Sequence, residues 1–240
     1  MKILLNKIKN NKILCIICIV NVLILIYCLS HNNLVENFDM NPKYFKELKG
    51  NNHLDKKYGK KNITLDEIHN TLIETLQFFV NYSKKNNIKP IIMHGTLIGY
   101  YFNKKLLPWD DDIDIILVEE SITNIKNYEN DNYIIKVNPY SKDRSIKDVN
   151  NKIDARVISK KNGVFIDITF FIFENELCAK DKHCYKKNDI LPFKKSKFEN
   201  IDIYIPNNVE NCLIQEYGKK VLKPFYKEWI FDKKTQKWTK

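Results

Sequence analysis

Four aspartates crowd into five positions of this sequence: Asp110, Asp111, Asp112 and Asp114. Carboxylates that close repel one another, and the arrangement costs stability unless a cation compensates. Asp112 and Asp114 alternate with Ile113 and Ile115, so on a strand both carboxylates project from one face. Two oxygen donors side by side at a rigid strand end suit a hard divalent ion such as Mg²⁺, which keeps water and takes further ligands from substrate phosphates. A fifth aspartate, Asp167, stands isolated in the apolar run VFIDITFFIF at 164–173. A lone buried carboxylate is unfavourable unless paired or metal-bound, which makes Asp167 a natural third carboxylate. Such a trio serves phosphoryl chemistry: bound ions neutralise charge on the phosphate, orient the leaving group and lower the pKa of an attacking hydroxyl. His94-Gly95-Thr96 is expected to bring backbone N–H groups and the Thr96 hydroxyl against phosphate oxygens, because Gly95 leaves room. His94 by itself is as readily structural as catalytic. A solvated acidic turn would explain the run at 110–114 but not the buried-strand Asp167.

The elements that must position these residues are readable from periodicity. Thr64 caps a helix and Glu67 completes its capping box, after which Ile68, Leu72, Leu76, Phe79 and Val80 recur at helical spacing. Residues 90–93 predict a short buried strand, with 94–96 as the turn out of it and a short helix over 97–102. Strands are predicted over 113–118, 164–173 and 201–205, and a helix over 209–217 ended by Gly218. The basic, aromatic tail after Pro224 takes no assignment. The fold class is α/β, with a mixed sheet, flanking helices and no internal repeat.

The 240 residues are 44% hydrophobic and 12% aromatic, enough for one ordinary domain and a small appendage. Lys+Arg of 40 against Asp+Glu of 29 gives a formal charge of +11. That balance favours phosphate-bearing partners or an anionic membrane face, although the lysines are scattered as on a solvated surface. No zinc-finger or RNP-like pattern is present, so nucleic acid is not expected as a partner. Residues 13–29 (ILCIICIVNVLILIYCL) carry no charge, and Lys2, Lys7, Lys9 and Lys12 precede them. This predicts a transmembrane helix held as an uncleaved signal-anchor in the lipid bilayer, with a cleaved signal peptide as the competing reading. The expected organisation is a cytosolic tail at 1–12, the anchor at 13–29, a polar stem at 30–62 and a catalytic domain at 63–240. The protein would be a single-pass type II membrane protein facing a Golgi or ER lumen, or another extracytoplasmic space. Asn62-Ile63-Thr64 and Asn81-Tyr82-Ser83 match glycosylation acceptors, consistent with that side. Cys178 and Cys184 are spaced to close a small disulfide loop there; with His183 they make only an incomplete zinc set.

On these residues the sequence resembles the LicD/fukutin family of phosphoryl-alcohol transferases. The likeness runs through Met93-His94-Gly95-Thr96-Leu97-Ile98-Gly99, Pro108-Trp109-Asp110-Asp111-Asp112-Ile113-Asp114-Ile115 and Gly163-Val164-Phe165-Ile166-Asp167-Ile168, to Glu216-Tyr217-Gly218. It covers roughly residues 64–224. The resemblance implies a nucleotidyltransferase fold of polymerase-beta type and transfer of a phosphorylated alcohol (phosphocholine or ribitol phosphate) from a CDP-linked donor, CDP-choline or CDP-ribitol, onto a glycan or glycoprotein, with Mg²⁺ or Mn²⁺. It places Gly95 and Thr96 in the nucleotide-binding turn, Asp112 and Asp114 in the metal-binding DxD, Asp110 as its leading Asp and Asp167 as the third carboxylate; Asp111 becomes a bystander. Phe102 stands where many members have Arg, so Lys104, Lys105 or Arg156 is expected to supply the cation beside the donor phosphates. Thr169-Phe170-Phe171 likewise departs from the Phe-Pro of bacterial members. The alternatives are a non-catalytic glycan-binding or chaperone protein that keeps the fold, and a nucleotidyltransferase using NTP.

Overall fold

The computed structural model describes residues 43–51, 53–143, 151–180 and 183–240. The expected tail at 1–12 and anchor at 13–29 lie outside them; among the described residues no helix is long and apolar enough to cross a membrane.

The first helix, α1 (Leu65–Lys85), starts on the predicted capping box: the Thr64 hydroxyl accepts from the Glu67 N–H and the Glu67 carboxylate accepts from the Thr64 N–H. Its apolar stripe, Leu72, Leu76 and Phe79, is fully buried, and each such side chain contributes about 1.5–3 kcal/mol. Ser83, on the same face, is 1% exposed. There follow β1 (Ile91–Ile92), α2 (His94–Asn103), β2 (Asp114–Val118), α3 (Glu120–Asn124), β3 (Tyr128–Glu129), β4 (Tyr133–Val137), β5 (Ala155–Ser159) and β6 (Phe165–Phe173). The chain continues through β7 (Leu177–Cys178), β8 (Cys184–Tyr185), α4 (Lys187–Ile190), β9 (Lys194–Phe198), β10 (Ile201–Ile205) and α5 (Val209–Tyr217), then a 3₁₀ turn at Lys219–Leu222. Three short strands close it: β11 (Phe225–Tyr226), β12 (Trp229–Asp232) and β13 (Lys237–Thr239).

The main sheet runs β3-β4-β5-β6-β2-β1-β10-β9, with β7 beside β6 and β8 beside β7. It is mixed: β2 pairs β6 and β1 pairs β10 in parallel, and the other pairs are antiparallel. The fold is thus mixed α/β, with a large mixed sheet and flanking helices. The predicted elements at 64–84, 113–118, 164–173, 201–205 and 209–217 all appear within a residue or two. The segment 94–96 is not a turn but the first turn of α2, entered through His94 at φ +54. Cys178 and Cys184 are joined by a disulfide across the β7–β8 pair.

Two stretches differ from expectation. Residues 43–62, part of the predicted stem at 30–62, are anchored on the domain at a few buried positions, with many of the remainder exposed. Phe45 is 5% and Leu54 1% exposed, Leu54 bridges Val164 in antiparallel fashion, and the Asp55 N–H donates to the Gly163 carbonyl. The low apolar density of the segment concealed two well-placed anchors. The tail after Pro224 forms a separate three-stranded sheet, β11-β12-β13. An aromatic cluster holds it: Trp109 stacks on Tyr226 at 5.1 Å between ring centres, and Phe102 meets Trp238 at 4.8 Å and Phe231 at 5.1 Å. Ring pairs at such distances add about 0.5–1.5 kcal/mol each beyond their buried area.

Leu54→Ala is expected to destabilise the domain by about 3 kcal/mol, the usual cost of a cavity at a buried leucine. Urea unfolding followed by circular dichroism measures this; a shift below about 0.5 kcal/mol would mean that the N-terminal segment contributes little.

Candidate functional site

β2 and β6 run parallel with Asp114 directly opposite Asp167. Facing residues of neighbouring strands point the same way, so the register alone sets two carboxylates from distant parts of the chain side by side. Asp110, Asp111 and Asp112 approach from the loop that leads into β2, and one oxygen from each lies within 4.8 Å of the others. These three acids could hold a metal ion. The expected trio Asp112, Asp114 and Asp167 does not close within that distance among the described residues. Asp111, expected to be a bystander, belongs to the set that does.

The electrostatics are those of crowded, partly dehydrated acids. Burial, then the charges of Asp112 and Asp114, pushes the Asp110 carboxyl up to about 8. Burial, then Asp112, pushes Asp114 up to about 7, with His94 acting in the opposite direction. Asp110 Oδ2 is buried with no hydrogen-bond partner among the described residues. A Cβ on Gly95 would stand 3.2 Å from that same oxygen, so glycine at this position leaves room for the carboxylate. An orphaned, buried carboxylate oxygen with an elevated pKa is what a divalent ion would stabilise.

Several predicted residues take other roles. Arg156, expected beside donor phosphates, is 1% exposed and grips Asp167 instead, Nε to Oδ1 at 2.6 Å and Nη2 to Oδ2 at 3.1 Å. It also reaches Glu47 at 3.2 Å and lies 3.4 Å over the Phe165 ring. A buried strand cation opposite a buried strand anion is its physical reason: β5 pairs β6 with Arg156 directly across from Asp167. Even so, burial leaves the Asp167 carboxyl above its ordinary value. Thr96, expected to offer its hydroxyl to phosphate, is 1% exposed and accepts from the Asp114 N–H at 2.9 Å; it fixes the start of β2. Lys104 caps the far end of α2, roughly 14 Å along the helix from Gly95 at 1.5 Å per residue. Lys105 lines a different cavity, with His69 and Glu199.

His94 keeps its place. Its Nδ1 lies 2.8 Å from Glu216 Oε1 on α5, and the Tyr185 hydroxyl donates to the other Glu216 oxygen at 2.7 Å. Burial pulls the Glu216 carboxyl up, but His94 and Tyr185 together bring it below its ordinary value. On the other side His53 pairs with Asp111 at 2.7 Å and lies 3.8 Å from Asp112. The Asp111 carboxylate, through that hydrogen bond, raises the imidazole to about 9. Sequence reasoning missed His53, which sits in a polar stretch with no periodic signal. Glu216 was visible only as part of the segment Glu216-Tyr217-Gly218.

Beside Gly95 and Asp110 opens a cleft of about 510 Å³. Trp109, Tyr226 and Trp238 form one part of its lining and Lys220, Lys223 and Lys227 another. Phe102 also lines it, packed beneath Trp238; an aromatic ring there carries the C-terminal sheet.

A mixed sheet that gathers carboxylates at neighbouring strands, next to a basic cleft, defines an α/β domain suited to a cation and a phosphate-bearing ligand. Residues 87–208 match the family described as LicD/FKTN/FKRP, nucleotidyltransferase domain, and the chain belongs to that family. Among relatives, mannosyltransferase regulator 4 of Saccharomyces cerevisiae is 33% identical over 112 residues, 42% of this chain and 9% of the yeast protein. Mannosyltransferase regulator 14 of the same yeast is 32% identical over 112 residues, 42% of this chain and 12% of its own length. An uncharacterised protein of Rickettsia prowazekii is 27% identical over 169 residues, 68% of this chain and 58% of its own. The chain thus spans about a tenth of the yeast relatives and somewhat over half of this rickettsial one.

The raised carboxyls set a pH signature. Asp110 and Asp114 have folded pKa values above the ordinary 3.8, so the folded state holds protons that the unfolded chain has released. Metal-free stability is therefore expected to fall as pH rises from about 4 to about 8, and Asp110→Asn should flatten that decline. His53, raised from 6.5 to about 9, adds loss in the same direction over that upper window, and His53→Gln separates the two. Thermal melts in chelator across pH 4–9 measure this. A melting temperature that climbs through that range would contradict the assignment.

Proposed function

We propose that this domain transfers a phosphorylated alcohol, ribitol phosphate or phosphocholine, from a CDP-linked donor to a hydroxyl of a glycan, releasing CMP. The observation that carries the reading is the carboxylate assembly: Asp114 and Asp167 in register on parallel strands, and Asp110, Asp111 and Asp112 within 4.8 Å of one another, with Asp110 lining the 510 Å³ cleft. Membership of the LicD family supports a glycan-modifying transferase of nucleotidyltransferase type. The acceptor glycan lies in a lumen or other extracytoplasmic space, and residues 13–29 tether the domain to the bilayer.

Mg²⁺ or Mn²⁺ would be held by Asp110, Asp111 and Asp112, with Asp114 at the adjoining strand end, and would there neutralise charge on the phosphate. The chain's own groups do the rest. The start of α2 at His94, around Gly95, carries the positive end of the helix dipole, which favours an anion. The acceptor oxygen forms a bond to the phosphorus that carries the alcohol, while the bond from that phosphorus to the CMP oxygen breaks and the electron pair leaves with CMP. The hydroxyl proton leaves to solvent in the open cleft beside Asp110. Asp167, with both oxygens held by Arg156, fixes the electrostatic frame. Glu216 holds the His94 ring at the helix entrance.

A second reading is favoured by the names of the yeast relatives, which are called mannosyltransferase regulators, and by the occupation of Asp167 by Arg156. In it the domain binds a glycan or a transferase without chemistry. CMP release from CDP-ribitol and CDP-choline, with Mg²⁺ and a mixed-glycan acceptor, decides between them. On the enzyme reading, Asp112→Ala with Asp114→Ala lowers turnover about a thousandfold, equivalent to roughly 4 kcal/mol of charge stabilisation. Full turnover by that double variant would remove the assignment; pyrophosphate release from an NTP would instead indicate nucleotidyl transfer.

A further inference from the structure

Three lysines, Lys220, Lys223 and Lys227, stand within eight residues on the lining of the cleft that Asp110 also borders. All are exposed, and none forms an ion pair with a described residue. Asp110 therefore shares a cavity with them but does not neutralise them. An unpaired cationic side facing an acidic one is balanced by a ligand that is itself anionic and carries a cation on the acidic side. The same lining carries Trp109, Tyr226 and Trp238; Trp109 packs on Tyr226 and Trp229 at 5.1 Å each and meets Trp238 at 5.0 Å, so the ring left accessible is Tyr226, 46% exposed, with Lys227 Nζ 5.3 Å from its centre. Planar rings next to unpaired lysines offer stacking for a base and charge for phosphates. A cleft of about 510 Å³ is of the size that takes a small organic ligand, within the ~300–1,000 Å³ usual for such sites.

These residues have a common origin in the chain. Apart from Trp109, all come from 219–238, beyond the stretch 87–208 that matches the family. The 3₁₀ turn carries Lys220, its C-terminal flank carries Lys223, and Lys227 occupies the β11–β12 connection at φ +51. The aromatic packing of the small sheet on Trp109 and Phe102 sets Lys227 against the cleft, and Lys220 and Lys223 line it from the turn before the sheet.

We propose that the C-terminal segment 219–238 is a nucleoside-diphosphate clamp, in which Lys220, Lys223 and Lys227 take the phosphate oxygens and the exposed Tyr226 ring takes the base. The clamp deepens the donor site of the proposed function and rests on that reading only for the choice of cytosine. Calorimetric titration of the full chain with CDP, UDP, GDP and cytidine, each with Mg²⁺, tests it on the wild type and on K220Q/K223Q/K227Q. The triple variant should bind a nucleoside diphosphate about tenfold to a hundredfold more weakly, because charged hydrogen bonds are lost, and should bind cytidine as the wild type does. As a check that needs no variant, raising NaCl should weaken CDP binding by the wild type and leave cytidine binding unchanged. CDP binding that neither the substitutions nor salt alter overturns the clamp while leaving the CDP-donor reading intact. Lysine-dependent binding of UDP or GDP but not CDP supports the clamp and removes the CDP donor. Absence of binding by every nucleoside diphosphate overturns both.

Discussion

Asp114 and Asp167 face each other across two parallel strands, and the negative charge gathered there would push the strands apart if nothing offset it. Much of the surrounding architecture can be understood as that offset. Arg156 lies on the next strand in register with Asp167 and is screened from water by Phe165 and Phe45. Thr96 ties the first amide of β2 to α2. His53 arrives from the N-terminal side to take Asp111, and His94 turns toward the cluster while held by Glu216. A buried pair such as Arg156–Asp167 adds little net stability compared with apolar packing, but loss of one partner leaves a bare buried charge. Its value here is geometric: it orients a carboxylate that would otherwise be free to rotate.

The pair also separates two kinds of acid within one cluster. Asp167 is satisfied by protein and belongs to the frame, whereas Asp110 has an oxygen with no partner and borders open space. The same residue type is thus structural at one position and available for chemistry at another, and only the neighbours distinguish them.

How much of this was readable in the sequence follows from the range of the forces involved. Local signals were sound: the capping box at Thr64 and Glu67, the apolar run around Asp167 and the Gly218 stop all correspond to observed elements, although the strand expected from 113 starts at Asp114 and leaves Asp112 in the loop before it. The acidic residues were likewise conspicuous, because four carboxylates in five positions need an explanation wherever they lie. What could not be read was pairing across the sheet. Nothing local to Arg156 indicates that it faces Asp167 rather than a ligand, since that depends on the β5–β6 register. Residues 43–62 looked like a spacer because two buried anchors, Phe45 and Leu54, are too few to make a periodic pattern. The tail after Pro224 held a clearer clue in its density of Phe, Tyr and Trp, which signals a packed surface rather than a loose end.

The contributions to the site from both flanks of the family-matched core also bear on how the molecule folds. Glu47 meets Arg156 from 109 positions away, and His94 meets Glu216 across 122. Contacts this distant close large loops before they return any stabilisation, and they slow the search for the native state relative to a domain built from neighbours. The long helix α1 can form early from local bonds alone; the cluster has to wait until the remote segments on either side have docked. During synthesis on a ribosome the carboxylates would consequently emerge well before Glu216, with the repulsion among them not yet fully compensated. The small sheet β11-β12-β13, which lines the cleft beside them, would emerge later still than α5.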